Sequence, residues 1–289
     1  MSARARLPGF VPSKSLGQNF LTDASVADRI VREARLDASF GVLEIGPGTG
    51  ALTPGLCAAA GRVVAVELDG RLIPALEAKL AGAGNAEIVQ GDIMKIDIGG
   101  LVEEKFSGLR RVVCANLPYG ITTPAITALL RSEAFESLTV MAQREVAARI
   151  CAAPGSPDCG SFSIFCQYHA ECAVLFDVPP DAFVPRPSVW SSVVRLVARR
   201  ERAVPREGEK MFFRVSRAAF AQRRKTLVNA LSASFGHRIE KSAISQAICA
   251  LGYSPLIRGE VLGVSDFAEI SAALSENMKS QEAASCGTE

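Results

Sequence analysis

The chain has 289 residues, 48% of them apolar, and a formal net charge of +2. That length and apolar share support one large domain with a sizeable core and a smaller second domain. No uncharged apolar run reaches the roughly 18 residues of a membrane span, and the first residues, MSARARLPGF, lack the apolar stretch of a secretory signal, so a cytoplasmic protein is expected.

From about residue 23 to 180, strand-like and helix-like segments alternate. VLEI (42–45), VVAVE (63–67), AEIVQ (86–90), VVCAN (112–116) and LTVMAQ (138–143) are short apolar runs suited to buried strands. Between them GALTPGLCAAA, GRLIPALEAKLAG and TPAITALLRS read as helices, with Asp69 a start signal and Gly82 a stop signal for the second. This alternation predicts a parallel sheet covered on both faces. FSIFCQYHAECAVLF (162–176) and SVWSSVVRLV (188–197) read as two further strands, an antiparallel hairpin closing one edge. Between them FDVPPDAFVPRP (176–187) holds four prolines and reads as a stiff connecting loop. Beyond it the chain turns helical, over 209–235, 240–250 and 265–275. Phe213, Phe220, Leu227 and Leu231 fall on one face of the first helix, Arg217 and Arg224 on another. The expected organisation is an N-terminal segment (1–22), an α/β domain (23–203), a helical domain (204–279) and a polar, disordered tail (280–289).

The small net charge is unevenly spread. Residues 195–225 hold eleven Arg or Lys against three Glu, and Arg4, Arg6 and Lys14 precede the first acid, Asp23. Basic clusters on a nearly neutral chain point to a polyanion partner, with Arg217, Arg223, Arg224 and Lys225 as candidate contacts, to RNA if the resemblance given below holds. The competing reading is a solvated linker and helix face. Eight cysteines form no C-x-x-C pair. The 151/159/166/172 series is a weak zinc candidate beside the reading that these are small apolar residues in a reducing compartment, and His169 and His237 read as structural.

The chemistry concentrates at successive strand ends. LEIGPGTGALT (43–53) follows a strand and opens a helix, and its glycines let the backbone turn sharply and approach a ligand closely. The spacing is G-x-G-x-G, with Glu44 before it, which alone is compatible with a purely structural turn. The next strand ends in Glu67, about 20 residues on, where an acid can accept from both hydroxyls of a ribose. The third runs into Asp92, which can accept from an adenine amino group, with Ile93 against the ring. All three lie on the carboxyl edge of the sheet, where open α/β sheets bind ligands.

The fourth strand ends in Asn116-Leu117-Pro118-Tyr119. An aromatic amine is a poor nucleophile because its lone pair is delocalised into the ring. The Asn116 side-chain oxygen and the Leu117 carbonyl can hold its two N–H groups, Pro118 stiffens the backbone, and Tyr119 can stack on the base. No strong general base is needed, because the amine becomes acidic once methyl transfer has begun. A plain Asn-Leu-Pro turn is the competing reading of this stretch by itself.

These motifs, with KSLGQNFL (14–21), MAQREVAARI, FVPRPSVWSSVVRL and FAQRRKTLVNAL, resemble the ribosomal RNA adenine dimethyltransferases over about residues 13 to 275, and most of all the bacterial type acting on small-subunit rRNA. The resemblance implies a seven-stranded Rossmann-like class I S-adenosylmethionine-dependent methyltransferase domain plus a small all-α C-terminal domain. It implies S-adenosylmethionine as methyl donor and two adjacent N6,N6-dimethylated adenines near the 3′ end of 16S rRNA as product. The expected partner is small-subunit rRNA in a pre-30S particle, with a monomeric enzyme, no membrane and no metal. Carried onto matching positions, Gln18, Asn19 and Leu21 reach the cofactor from the N-terminal segment. Gly46 backs its methionine part, with Gly48 in the same turn. Glu67 and Leu68 belong to the ribose end, Asp92 and Ile93 to the adenine. Asn116 lies where methyl meets amine, and Phe183 matches an aromatic expected to sandwich the target adenine opposite Tyr119. Cys159, Arg186 and Trp190 depart from the usual pattern. Three other readings are a large-subunit resistance methyltransferase, a non-catalytic assembly or transcription factor on the same fold, and a DNA adenine methyltransferase.

Overall fold

The computed structural model describes residues 12–13 and 17–286; Arg4, Arg6 and Lys14 lie outside the described residues. The chain divides into two compact units. The first runs up to Ala148 and resumes over Ala170–Ala198; the second comprises Arg149–His169 and the chain from Arg199.

The first unit opens with β1 (Phe20–Leu21) and α1 (Ala24–Glu33), the latter capped by Asp23, whose carboxylate accepts from the Ser25 and Val26 amides. Strands and helices then alternate: β2 (Phe40–Ile45), α2 (Thr53–Ala59), β3 (Arg62–Glu67), α3 (Ile73–Leu80), β4 (Ala86–Gln90), α4 (Ile98–Lys105), β5 (Arg110–Asn116), α5 (Thr122–Ser132), β6 (Ser137–Gln143) and α6 (Arg144–Ile150). After α7 (Ser161–His169) come β7 (Ala170–Val178), β8 (Phe183–Val184) and β9 (Ser191–Ala198). Seven strands form one sheet in the order β4-β3-β2-β5-β6-β9-β7. Only β9 runs against the others. β1 and β8 pair separately, Leu21 opposite Phe183.

Side-chain alternation explains why the central strands are apolar throughout. Val42, Val63, Val112 and Cys114 join Ile30 of α1 and Leu56 of α2 in one buried cluster. Their neighbours Leu43, Val64 and Val113 are equally buried and face the opposite side of the pleat. The sheet is therefore covered on both faces, as the sequence predicts.

In the second unit, α8 (Arg206–Ala221), α9 (Leu227–Phe235), α10 (Lys241–Ala250) and α11 (Val264–Cys286) follow α7. Its core includes Phe212, Val215, Leu231, Phe235, Ile248 and Phe267. Four expectations need correction here. Residues 161–169 are helix, not strand: Ile164 and Tyr168, four apart, both enter this core. That segment packs with the helical unit rather than the α/β domain. The helix expected over 209–235 breaks at 222–226, where the Thr226 hydroxyl accepts from the Asn229 amide and starts a new helix. The buried face of α8 is accordingly Phe212, Val215 and Ala219, with Phe213 and Phe220 only partly buried. Finally, 280–286 continue α11 instead of forming a disordered tail, as the good helix formers of QEAA allow, while 287–289 lie outside the described residues.

Candidate active site

The carboxyl ends of β2 to β5 surround a cavity of ≈ 430 Å³, within the range of small-molecule sites. The turn after β2 is a left-handed glycine turn, with φ of 63° at Gly46 and 60° at Gly48. A side chain at Gly48 would bring its Cβ within 2.9 Å of the Phe20 ring, so only glycine lets the N-terminal segment lie this close. The Gly48 amide donates to Glu67 Oε2 at 3.0 Å and the Asp69 amide to Oε1 at 2.8 Å. Glu67 is thus fixed at the end of β3 in a buried position. Burial pushes its carboxyl pKa up, and these two amides pull it back. Each carboxylate oxygen keeps a lone pair for a ribose hydroxyl.

Asp92 follows β4, its Oδ1 accepting from the Met94 amide at 3.0 Å. Ile93 is buried beside it, while Leu68 and Met94 line the cavity with exposed apolar side chains, 51% and 39% accessible. Exposed apolar side chains facing a cavity suit a flat aromatic ligand. Glu44 also lines the cavity, 1% exposed, with Oε2 unpartnered. Burial drives its pKa to about 8; the Thr53 hydroxyl offsets part of this without reaching good hydrogen-bond geometry. An orphaned buried acceptor fits a ligand that brings an ammonium group. A nucleoside with an amino-acid arm therefore matches the cavity from end to end.

At the far end stands Asn116, the last residue of β5. Its Nδ2 donates to the Asn19 carbonyl at 3.5 Å, which leaves Oδ1 as the acceptor for the cavity. The Leu117 amide donates to the Met141 carbonyl at 3.2 Å. The Pro118 carbonyl accepts from the Ile121 amide and the Thr122 hydroxyl, both at 3.1 Å, so the turn is closed on itself. Tyr119 is half-buried and shares a 2.7 Å hydrogen bond with the Ser191 hydroxyl. Burial raises the Tyr119 pKa, with Ser191 opposing.

Residues 10–251 match the family described as ribosomal RNA adenine dimethylase. The chain belongs to that family. It is 47% identical over 278 residues to the ribosomal RNA small subunit methyltransferase A of Moorella thermoacetica, covering 94% of this chain and 96% of that one. The protein of the same name from Shouchella clausii is 45% identical over 273 residues, 94% of this chain and 92% of the other. Among solved structures, a dimethyladenosine transferase from Plasmodium falciparum superposes with a TM-score of 0.78 at 24% identity, over 89% of this chain and 98% of that one. The 23S rRNA methyltransferase ErmE reaches 0.70 at 24% identity, over 89% of this chain and 100% of that one. At that identity both likenesses concern the fold. The dimethylase is an S-adenosylmethionine-dependent methyltransferase, and the Glu44, Glu67, Asp92 set fits that cofactor.

Most of the dimethylase's sequence-derived site residues line this one cavity, among them Asn19, Gly46, Glu67, Asp92, Asn116 and Tyr119. Gln18 lines it too, but its amide is already engaged. Oε1 accepts from the Ser13 amide at 2.7 Å, and Nε2 donates to Asp69 Oδ2 at 2.9 Å. Asp69 is gripped in turn by Arg71, at 2.8 and 2.6 Å, which holds its pKa down at about 2. Gln18 therefore clasps the N-terminal segment to the loop after β3. Phe183 departs from its expected role: it is 2% exposed, packs in the cluster with Leu21 and Val178, and does not line the cavity. In this structure it pairs with Leu21 across β1 and β8, and its ring is buried.

The candidate RNA contacts also separate. Arg217, Arg224 and Lys225 are exposed. Arg223 is exposed as well, and its guanidinium also donates to the carbonyls of Pro157 at 2.8 Å and Cys159 at 3.2 Å and faces Glu260 at 3.9 Å. Much of the remaining basic excess is spent inside the helical unit, as Arg202 pairs with Glu209 and Arg214 lies 4.3 Å over the Phe235 ring. The described cysteines are free thiols, and among the described residues no three His, Cys, Asp or Glu side chains group as a metal site requires. The His169 ring lies among Phe165, Tyr168 and Phe213. No helix of the described residues is long and apolar enough to cross a membrane.

Sequence reasoning missed Ser191, Asp69 and Lys79, which touch or brace the cavity. Lys79 Nζ donates to the Gly50 carbonyl at 2.6 Å and to that of Thr49 at 3.1 Å, holding the glycine turn. Ser191 and Lys79 act on residues distant in sequence, and Asp69, legible only as a helix-start signal, also holds Gln18, 51 residues away.

Proposed function

We propose that this dimethylase transfers methyl groups to the N6 amines of two adjacent adenosines near the 3′ end of small-subunit (16S) rRNA, acting as a cytoplasmic monomer on a pre-30S particle. The observation that carries the reading is that Asn116 lines the same cavity as Glu67 and Asp92, with its Nδ2 donating to the Asn19 carbonyl. The cofactor supplies an electrophilic methyl group when bound. Glu67 takes the ribose hydroxyls, Asp92 the adenine amine, and Glu44 the ammonium. The buried glycine turn fixes the other end, and Gln18 draws the N-terminal segment over the rim.

The target amine meets Asn116 Oδ1 and the Leu117 carbonyl. Two acceptors out of the base plane rotate the N–H bonds and free the nitrogen lone pair from the ring. Tyr119 stacks on the base, its ring angle set by Ser191. The nitrogen gains positive charge as it is alkylated, the two carbonyl dipoles stabilise that charge, and the proton then leaves to solvent without a strong base. Arg217, Arg224 and Lys225 are proposed to contact phosphates of the RNA. The test is mass-spectrometric mapping of small-subunit rRNA after deleting and restoring the gene. Two dimethyladenosines should vanish and return together; unchanged rRNA would overturn the proposal.

A further inference from the structure

Trp190 is the only tryptophan in the chain and stands 46% exposed, beside Val189 at 37%. The indole and the neighbouring valine together leave an exposed apolar strip at the start of β9. Its backbone is pinned, because the Arg144 amide donates to the Trp190 carbonyl at 2.9 Å. Strand register locates it. Asn116 lies opposite Met141 on β6, Met141 opposite Val193 on β9, and Gln143 opposite Ser191. Two strand spacings across and two or three residues along place the backbone at 190–191 about 12–14 Å from that of Asn116. Trp190 therefore sits on the carboxyl edge of the sheet, immediately before the serine that holds Tyr119.

The surroundings suit a nucleic acid. Arg144 is 62% exposed, 3.6 Å from Asp177, and Arg186 is 67% exposed, 3.0 Å from Asp181. Such exposed pairs are worth little in water and exchange readily for phosphate. Exposed indole with nearby guanidinium groups is the composition that stacks single-stranded bases.

We infer that Trp190 is a stacking platform for a nucleotide flanking the target adenine, with Arg144 and Arg186 beside it for the phosphates. The inference rests on the target adenine entering at Asn116. Its function is to hold the RNA strand while the base at Asn116 is turned or exchanged for its neighbour.

The experiment measures methyl transfer to 30S particles lacking the two dimethyladenosines, at saturating cofactor. Trp190→Ala should raise KM for the particle about tenfold. Cofactor affinity, followed by calorimetry, should change less than about twofold, and Trp190→Phe should restore most of the loss. A Trp190→Ala enzyme that melts normally and keeps its KM would overturn the inference, as would a KM rise that Phe leaves uncorrected. A change in sedimentation on Trp190→Ala would assign the indole to contact between copies and overturn it equally. Asn116→Ala, run in parallel, separates the two readings. If it stays active, the target position is wrong whatever Trp190 does; if it is dead while Trp190→Ala keeps its KM, only the platform fails.

Discussion

The two ends of the cavity are built differently. At the cofactor end Glu67 is buried and held by amides at 3.0 and 2.8 Å, and Asp69 and Lys79 brace the loops on either side. At the proposed target end the Asn116 side chain makes a long contact of 3.5 Å, and Tyr119 is half-buried with its hydroxyl bonded to that of Ser191. The cofactor is the same molecule in every cycle, so its groups can be fixed in advance. The target arrives first as a primary amine and then as a methylated one, and it needs room to turn. Rigidity is concentrated where the ligand does not change.

Four substitutions sharpen or break this contrast. The largest effect is expected for Asn116→Ala, with transfer falling at least about 100-fold while cofactor affinity stays within about threefold. Equal loss of both would mean that the two ends are not separate. Glu67→Ala should do the reverse, weakening cofactor binding by about 10–100-fold in calorimetry and leaving KM for the 30S particle unchanged at saturating cofactor. Tyr119→Phe and Ser191→Ala should each raise that KM by about threefold, and the double substitution should be no worse than either alone. Additive losses would show that their hydrogen bond does not set the ring.

In the helical unit the contrast takes another form. Arg224→Glu with Lys225→Glu should flatten the salt dependence of RNA binding by about one logarithmic unit per lost phosphate contact. Arg223→Glu should lower the melting temperature instead, since its guanidinium holds the 157–159 backbone. The smallest effect concerns pH. Glu44 binds its proton more tightly when folded, with a pKa of about 8 against 4.5. The folded state therefore holds an extra proton between those values, so this contribution to stability is full below about 4.5 and is lost as pH rises through about 8. Melting temperature should fall over that window, and Glu44→Gln should flatten the fall.

The strand ends were legible because parallel, doubly covered strands are continuous apolar runs, and each ended in a residue of distinct chemistry. Gly46, Glu67, Asp92 and Asn116 could be placed on one sheet edge from order alone. Residues 162–169 were not legible, because a short apolar run fits strand and helix equally until its packing partners are known. Arg223 shows the same limit for charge. Counting cations cannot tell a phosphate ligand from a guanidinium spent on two carbonyls. Phe183 shows it for aromatics, since its motif was visible and its burial was not.

The pairing of β1 with β8 ties together two strips of chain that lie far apart in sequence. Leu21 faces Phe183 and Phe20 faces Val184, so the strip that borders the cofactor and the strip that leads toward Trp190 are one two-stranded ribbon. If cofactor binding tightens the grip on RNA by some factor, RNA must tighten the grip on cofactor by the same factor.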